Sequence, residues 1–274
     1  WIAAILNSDP ELKRLFKRAV GKGWTAEKFQ AELRSTKWYQ QNGEAYRNGA
    51  VQKEADPATF KANVAQVRTR LSMMATELGA VVGGATIKKM AEQAYMLGWD
   101  DNQIRRQMAE YVKYSDGRLL GQAGQWESDL REYARSMGVK ISNKTIQGAV
   151  QRAVAGKRTI EDAKRDLMET AASAFPNLAD RIRDGETVAE IADPYRQTMG
   201  ALLETDPDAI GLDDAQVRRA LSGPVGKDGK PTLTTLYDFE REVRRDPRWL
   251  KTRNARDSLM AGTQRLLSDW GLVG

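Results

Sequence analysis

Eight times along this chain, apolar positions fall four and eight residues after a hydroxyl or carboxylate residue. Thr25 precedes Phe29 and Leu33, Asp56 precedes Phe60 and Val64, and Asp100 precedes Ile104 and Met108. Ser142 precedes Ile146 and Val150, Thr159 precedes Ala163 and Leu167, and Thr187 precedes Ile191 and Tyr195. Asp213 precedes Val217 and Leu221, and Thr235 precedes Phe239 and Val243. A side-chain oxygen at the N-cap accepts an orphan backbone N–H, and side chains four residues apart lie on one helix face. The pattern predicts a succession of capped helices, each with a single apolar face.

Glycines and prolines punctuate the succession. A first helix is expected from Asp9-Pro10 to Val20, stopped by Gly21 to Gly23, and a second from Thr25 on toward Trp38-Tyr39. Asp56-Pro57 opens the longest, with apolar residues at Phe60, Val64, Val67, Leu71, Met74 and Leu78. Gly79 to Gly84 breaks it, with Val81-Val82 as a candidate buried linker. Asp100 and Gln103 have capping-box spacing. Gly121 and Gly124 suggest a connection before a helix from Trp126 to Met137. Asp193-Pro194 suggests a kink or restart. Gly223 to Pro231 is the clearest exposed loop, and Pro247 to Trp270 the last helix. The units echo one another. Gly23-Trp24-Thr25 aligns with Gly98-Trp99-Asp100, and Trp38 follows Thr25 at nearly the offset by which Trp249 follows Thr235. Irregular spacing argues against a regular solenoid.

Composition narrows the chemistry. The chain has 274 residues, of which 41% are apolar and 29% charged, which suits thin helical cores. No uncharged stretch approaches the roughly 20 residues that span a bilayer. Trp1 to Leu6 is too short and lacks the basic flank of a signal peptide; it reads as the end of an apolar element already under way. Neither cysteine nor histidine occurs. Disulfides, thiolate zinc sites, Ser-His-Asp triads and HExxH zincins are therefore excluded. The net charge of +6 favours polyanions, but Lys and Arg are spread along the whole chain.

Candidate motifs dissolve on inspection. Gly226-Lys227 lacks the earlier glycine and following Ser or Thr of a P-loop. Asp206, Asp208, Asp213 and Asp214 lack the offsets of a calcium loop and are expected to cap helices. A carboxylate-pair glycosidase needs no histidine, yet Glu44, Glu127 and Glu169 sit at spacings typical of solvated faces. The two-helix segment from Ala149 to Leu167 carries Glu161, Asp162, Asp166 and Glu169 on its second helix, which would repel phosphate. Seven tryptophans are many for so polar a chain. Trp24 and Trp99 follow glycine corners and are expected to staple them, while Trp38, Trp126, Trp249 and Trp270 are candidate core plugs or interface anchors.

Two passages, Gly23-Trp24-Thr25-Ala26-Glu27-Lys28-Phe29 leading to Thr36-Lys37-Trp38-Tyr39, and Asp246-Pro247-Arg248-Trp249-Leu250-Lys251-Thr252-Arg253-Asn254-Ala255, together resemble helical virion proteins encoded by phages of actinobacteria. The resemblance covers about a fifth of the chain and carries no catalytic residues. It implies a structural role in the particle, as a tape-measure-like or minor tail component assembled in the host cytoplasm.

The expectation is an all-α protein, an elongated or two-lobed array of helical hairpins joined by glycine corners. Its segments are residues 1–115, 116–222 and 223–274, the last a loop and helices packing back on the body. It is expected to be non-enzymatic, without cofactor or metal. Its partners would be other virion proteins or further copies of itself, with weak or no nucleic-acid contact. The alternatives are an internal ejected virion protein that touches the genome through its basic surface and, behind it, a cell-wall hydrolase of the carboxylate-pair type.

Overall fold

The computed structural model describes Leu6, residues 9–224 and residues 232–270. Among them the chain is all-α, with fifteen α-helices, three 3-10 turns, two isolated bridges and no strand. The first seven helices are α1 Pro10–Gly21, α2 Ala26–Arg34, α3 Lys37–Gln41, α4 Glu44–Ala55, α5 Pro57–Leu78, α6 Gly84–Leu97 and α7 Asp101–Ala109. There follow α8 Gly121–Ser136, α9 Asn143–Val154, α10 Ile160–Ala174, α11 Ala179–Arg183, α12 Val188–Leu203, α13 Ala215–Ser222, α14 Leu236–Val243 and α15 Arg253–Asp269. No helix among the described residues is long and apolar enough to cross a membrane.

The expected caps account for most helix starts. Thr25, Asp56 and Thr235 each accept the N–H three residues on. Asp100 with Gln103, and Thr187 with Glu190, form complete capping boxes. Ser142 and Thr159 stand immediately before α9 and α10. The cap of α13 is a correction. It is Asp214, whose carboxylate accepts the Gln216 N–H at 2.9 Å, and not Asp213. The Asp213 carboxylate lies beside Gly211 in the preceding turn. The apolar phase of α13 is as expected, with Val217 and Leu221 both buried.

Several boundaries move for local reasons. The helix expected from Thr25 through Tyr39 breaks at Ser35, and Thr36 caps the new start. Gly121 and Gly124 lie in the first turn of α8 instead of in a connection. Gly121 has φ +52°, and a Cβ there would come within 2.5 Å of the Glu77 carbonyl oxygen. Its counterpart Gly79 has φ +77° and no room for a Cβ beside Leu120. The two glycines thus allow two backbones to touch. Pro194 neither ends nor restarts α12, which runs through it. The last expected helix is two elements, a 3-10 turn at Trp249–Lys251 and then α15. Val81 is exposed, not a buried link. The loop at residues 225–231, with Gly226-Lys227, and the apolar start at residues 1–5 lie outside the described residues.

The chain divides into two compact units, Trp1–Glu127 with Lys144–Thr159 and Ser128–Asn143 with Ile160–Gly274. The cut at Glu127 falls inside α8, so a reading of linkers could not find it. In the first unit α5 packs along α6 and α4. Phe60 stands edge-on to Tyr95 at 5.4 Å between ring centroids. In the second unit one cluster gathers Phe175, Ile182, Ile191, Tyr195, Met199, Val217, Leu221, Phe239 and Val243. Complete burial of a side chain of this size contributes roughly 2–3 kcal/mol.

Candidate interaction surfaces

Residues 9–38 and 214–249, which take in most of the first passage and the start of the second, share a run of local contacts. Asp9 and Asp214 each take the N–H two residues on, at 2.7 and 2.9 Å. Three residues after each, Leu12 and Val217 are buried. Thr25 and Thr235 cap the next helix, followed by Phe29 and Leu33 in one unit and Phe239 and Val243 in the other. A tryptophan turn closes each. The Glu11 carboxylate accepts the N–H groups of Lys37 and Trp38 at 3.3 and 3.1 Å, at the start of α3. At the matching place the Gln216 amide donates to Asp246 at 3.3 Å, and Asp246 accepts the Arg248 N–H at 2.9 Å.

Trp38 and Trp249 lean half-buried on the apolar residues of their own units. Trp126 is half-buried on α8. Of the four candidate anchors, Trp270 alone stands free, at 70% exposure. Trp24, at the glycine corner, is half-buried with the Lys28 ammonium 5.3 Å from its ring.

The turn before Trp249 is held by charge. Arg248 donates from Nε and one terminal nitrogen to the Asp246 carboxylate, at 3.0 and 2.7 Å, and from the other nitrogen to Asp214 at 2.8 Å. This two-pronged contact holds the buried Asp246 carboxyl well below the usual carboxylate range and pushes the guanidinium upward. At Asp214 burial pulls upward, and the hydrogen bonds from Arg248 and the Gln216 N–H outweigh it. Sequence reading missed Thr36, Glu11, Asp246 and Arg248 as organisers. Thr before Lys-Trp and the dipeptide Asp246-Pro247 are turn signals that could have pointed to them.

The helix that follows is exposed along almost its whole length. Its root is pinned. Thr252 caps it, and the Glu204 carboxylate at the end of α12 accepts the N–H groups of Arg253 and Asn254 at 3.1 and 2.8 Å. Those bonds hold Glu204 below its ordinary range, as a carboxylate at a helix N-terminus should be. Beyond Ala255 no residue of α15 is buried, and Leu259, Met260, Leu266 and Trp270 are each more than half exposed. At 100° per residue Leu259, Leu266 and Trp270 fall within one narrow stripe, with Met260 at its flank.

The acidic candidates are engaged in structure. Asp206 takes the Asp208 N–H at 2.9 Å, and Asp208 pairs with Arg196 at 3.0 Å. Glu169 pairs with Arg183 at 2.9 Å and is lowered by it. Glu44 is exposed in the first turn of α4. Glu127 is not on a solvated face: it is buried and accepts the Leu119 N–H at 2.8 Å. Glu161 and Asp162 pair with Lys164 and Arg165 on their own helix. Two of the depressions on the surface are lined by these elements. One, of about 490 Å³, sets Arg135, Lys140, Arg218 and Asp213 over Val139, Phe175 and Leu212. The other, of about 380 Å³ and almost wholly apolar, lies among Leu12, Phe29, Leu33, Trp38, Tyr39 and Val51. Comparison with protein-family models, with curated proteins and with solved structures found no match.

Proposed function

We propose that this chain is a non-enzymatic structural component of a phage particle, tail-associated and of the tape-measure-like or minor tail kind. It holds assembly contacts through aromatic and aliphatic anchors and Arg-rich rims. The observation that carries the reading is α15. A pinned root with a bare stripe of Leu259, Leu266 and Trp270 is an arrangement that a partner completes. Exposed leucines and a tryptophan on one helix face match the way helices dock into grooves. The assignment to a virion rests on the sequence resemblance alone.

Light scattering of the full chain, alone and with neighbouring virion proteins, tests the reading. Association that Leu266→Asp abolishes, with the fold intact, supports it. A monomer indifferent to every candidate partner overturns it. A second reading has its own observation. Residues 9–53 carry ten Lys or Arg against five Asp or Glu, most of the surplus of the whole chain. A genome-contacting internal protein would show it as duplex-DNA affinity that falls steeply with salt.

A further inference from the structure

The second unit holds a depression of about 490 Å³, and every residue lining it is described. Gly138, with φ +65°, follows α8 in a corner that meets the turn at Leu212. A Cβ there would lie 3.6 Å from Leu212 and 3.9 Å from the Phe175 ring. The corner carries Arg135 and Lys140 on its two sides, and α13 brings Arg218 to the same rim. All three cations are exposed, over a floor of half-buried Val139 and Leu212 and buried Phe175. Elsewhere in this unit Arg181, Arg183, Arg196, Arg244 and Arg248 each hold a carboxylate. Among the described residues Arg135, Lys140 and Arg218 hold none, although Asp213 lies on the same lining.

We infer that this depression takes a short peptide segment of a partner protein, one that sets a carboxylate side chain beside an aliphatic or aromatic one. The groups on the lining define the occupant. Arginine and lysine offer only N–H donors, so the three cations require an anion, and a guanidinium meets a carboxylate through two bonds at once. The apolar floor requires a side chain that gains by leaving water. Asp213 offers only acceptors and requires a donor. A peptide supplies all three, in its acidic side chain, its apolar side chain and its backbone N–H groups. A phosphodiester backbone supplies anionic oxygens without donors, and the Asp213 carboxylate repels it. The lining sets three positive charges against one negative, a surplus that one or two carboxylates neutralise. An acidic segment is steered to this rim, and a basic one is repelled.

The inference rests on the reading of the chain as an assembly component only in requiring a protein partner. The probes are dye-labelled, end-blocked hexapeptides in which two glutamates flank a phenylalanine, a tyrosine or a leucine, titrated into the full chain by fluorescence anisotropy. Saturable binding is expected from at least one of them. It should be about tenfold or more weaker when the glutamates become glutamines, and in Arg135→Gln and Arg218→Gln. A serine in place of the apolar residue should weaken it as well. Arg135 and Arg218 are exposed, so the urea midpoints of both variants should match the parent. A lowered midpoint in either would mean that the chain itself occupies these cations and would overturn the inference. So would the absence of saturable binding, or binding indifferent to the two arginines or to the apolar residue. Duplex DNA that outcompetes every peptide, and more strongly in Asp213→Asn, would assign the rim to phosphate and also overturn it. Leu266→Asp, on α15, should leave peptide binding unchanged. Peptides that fail to bind while Leu266→Asp still abolishes association would remove this inference and leave the proposed function standing.

Discussion

Tyr195 and Phe239 stand edge to face at 5.1 Å, and the Tyr195 hydroxyl reaches the Thr234 carbonyl at 2.5 Å, just before the cap of α14. One side chain thus fills the core and fixes where the next helix begins. Tyr195→Phe keeps the ring and leaves a buried carbonyl without its donor, at a cost of about 1–2 kcal/mol. Tyr195→Ala also opens a cavity and should cost about 3–5 kcal/mol. Urea unfolding of the two variants separates the hydroxyl from the ring. Equal losses would mean that the ring contributes nothing beyond the bond.

The Asp246–Arg248 pair predicts an acid limb. The folded-state pKa of Asp246 lies below its unfolded value of about 4. Its contribution is therefore present above about pH 4 and is lost as pH falls toward the folded value. Asp246→Asn should be less stable by about 2 kcal/mol at neutral pH. Its deficit against the parent should shrink as the solution is acidified. A deficit that stays constant down to the most acidic accessible pH would show that the ion pair contributes nothing.

Glu204 roots α15 on α12. Removing the carboxylate in Glu204→Ala should lower hydrogen-exchange protection at the Arg253 and Asn254 amides first. Protection across α12, which does not depend on this contact, should hold. Unchanged protection at both amides would leave Thr252 as the sole effective cap.

Gly79 and Gly121 predict a sharp intolerance. Gly79→Ala places a methyl against the Leu120 carbonyl at a backbone φ of +77°. A loss of about 2–4 kcal/mol is expected. Gly156, with φ +68° and open space around its missing Cβ, should lose only about 1 kcal/mol when changed to alanine. Thermal melts of the two variants rank them, and equal losses would contradict the close-approach argument.

The exposed stripe of α15 should behave as surface in isolation. Leu266→Asp is expected to change monomer stability by less than about 0.5 kcal/mol, because Leu266 is 55% exposed. A large loss would mean that the stripe is covered within the chain itself.

Much of this molecule was readable before any coordinates. The caps at Thr25, Asp56, Asp100, Thr187 and Thr235, the apolar phase of each helix and the all-α class depend on side chains within a few residues of one another. Local hydrogen bonds and helical periodicity are short-range, so sequence displays them directly. What escaped is long-range. The break at Thr36 depends on Glu11, some twenty-five residues earlier. Asp214, and not its neighbour Asp213, caps α13, because the turn closed by the Asp214 N–H on the Gly211 carbonyl brings the Asp214 carboxylate to the Gln216 N–H. Gly121 is spared for the backbone at Glu77, not for a loop. Trp38 and Trp249 are drawn toward their own units while Trp270 is left outside, a distinction that burial alone makes and that residue type cannot. The kinship of the two tryptophan turns is visible in spacing, but that Tyr195 covers Phe239 in the second emerges only when non-local helices are packed. Burial and partnership are properties of distant segments meeting, and no local pattern records which segments will meet.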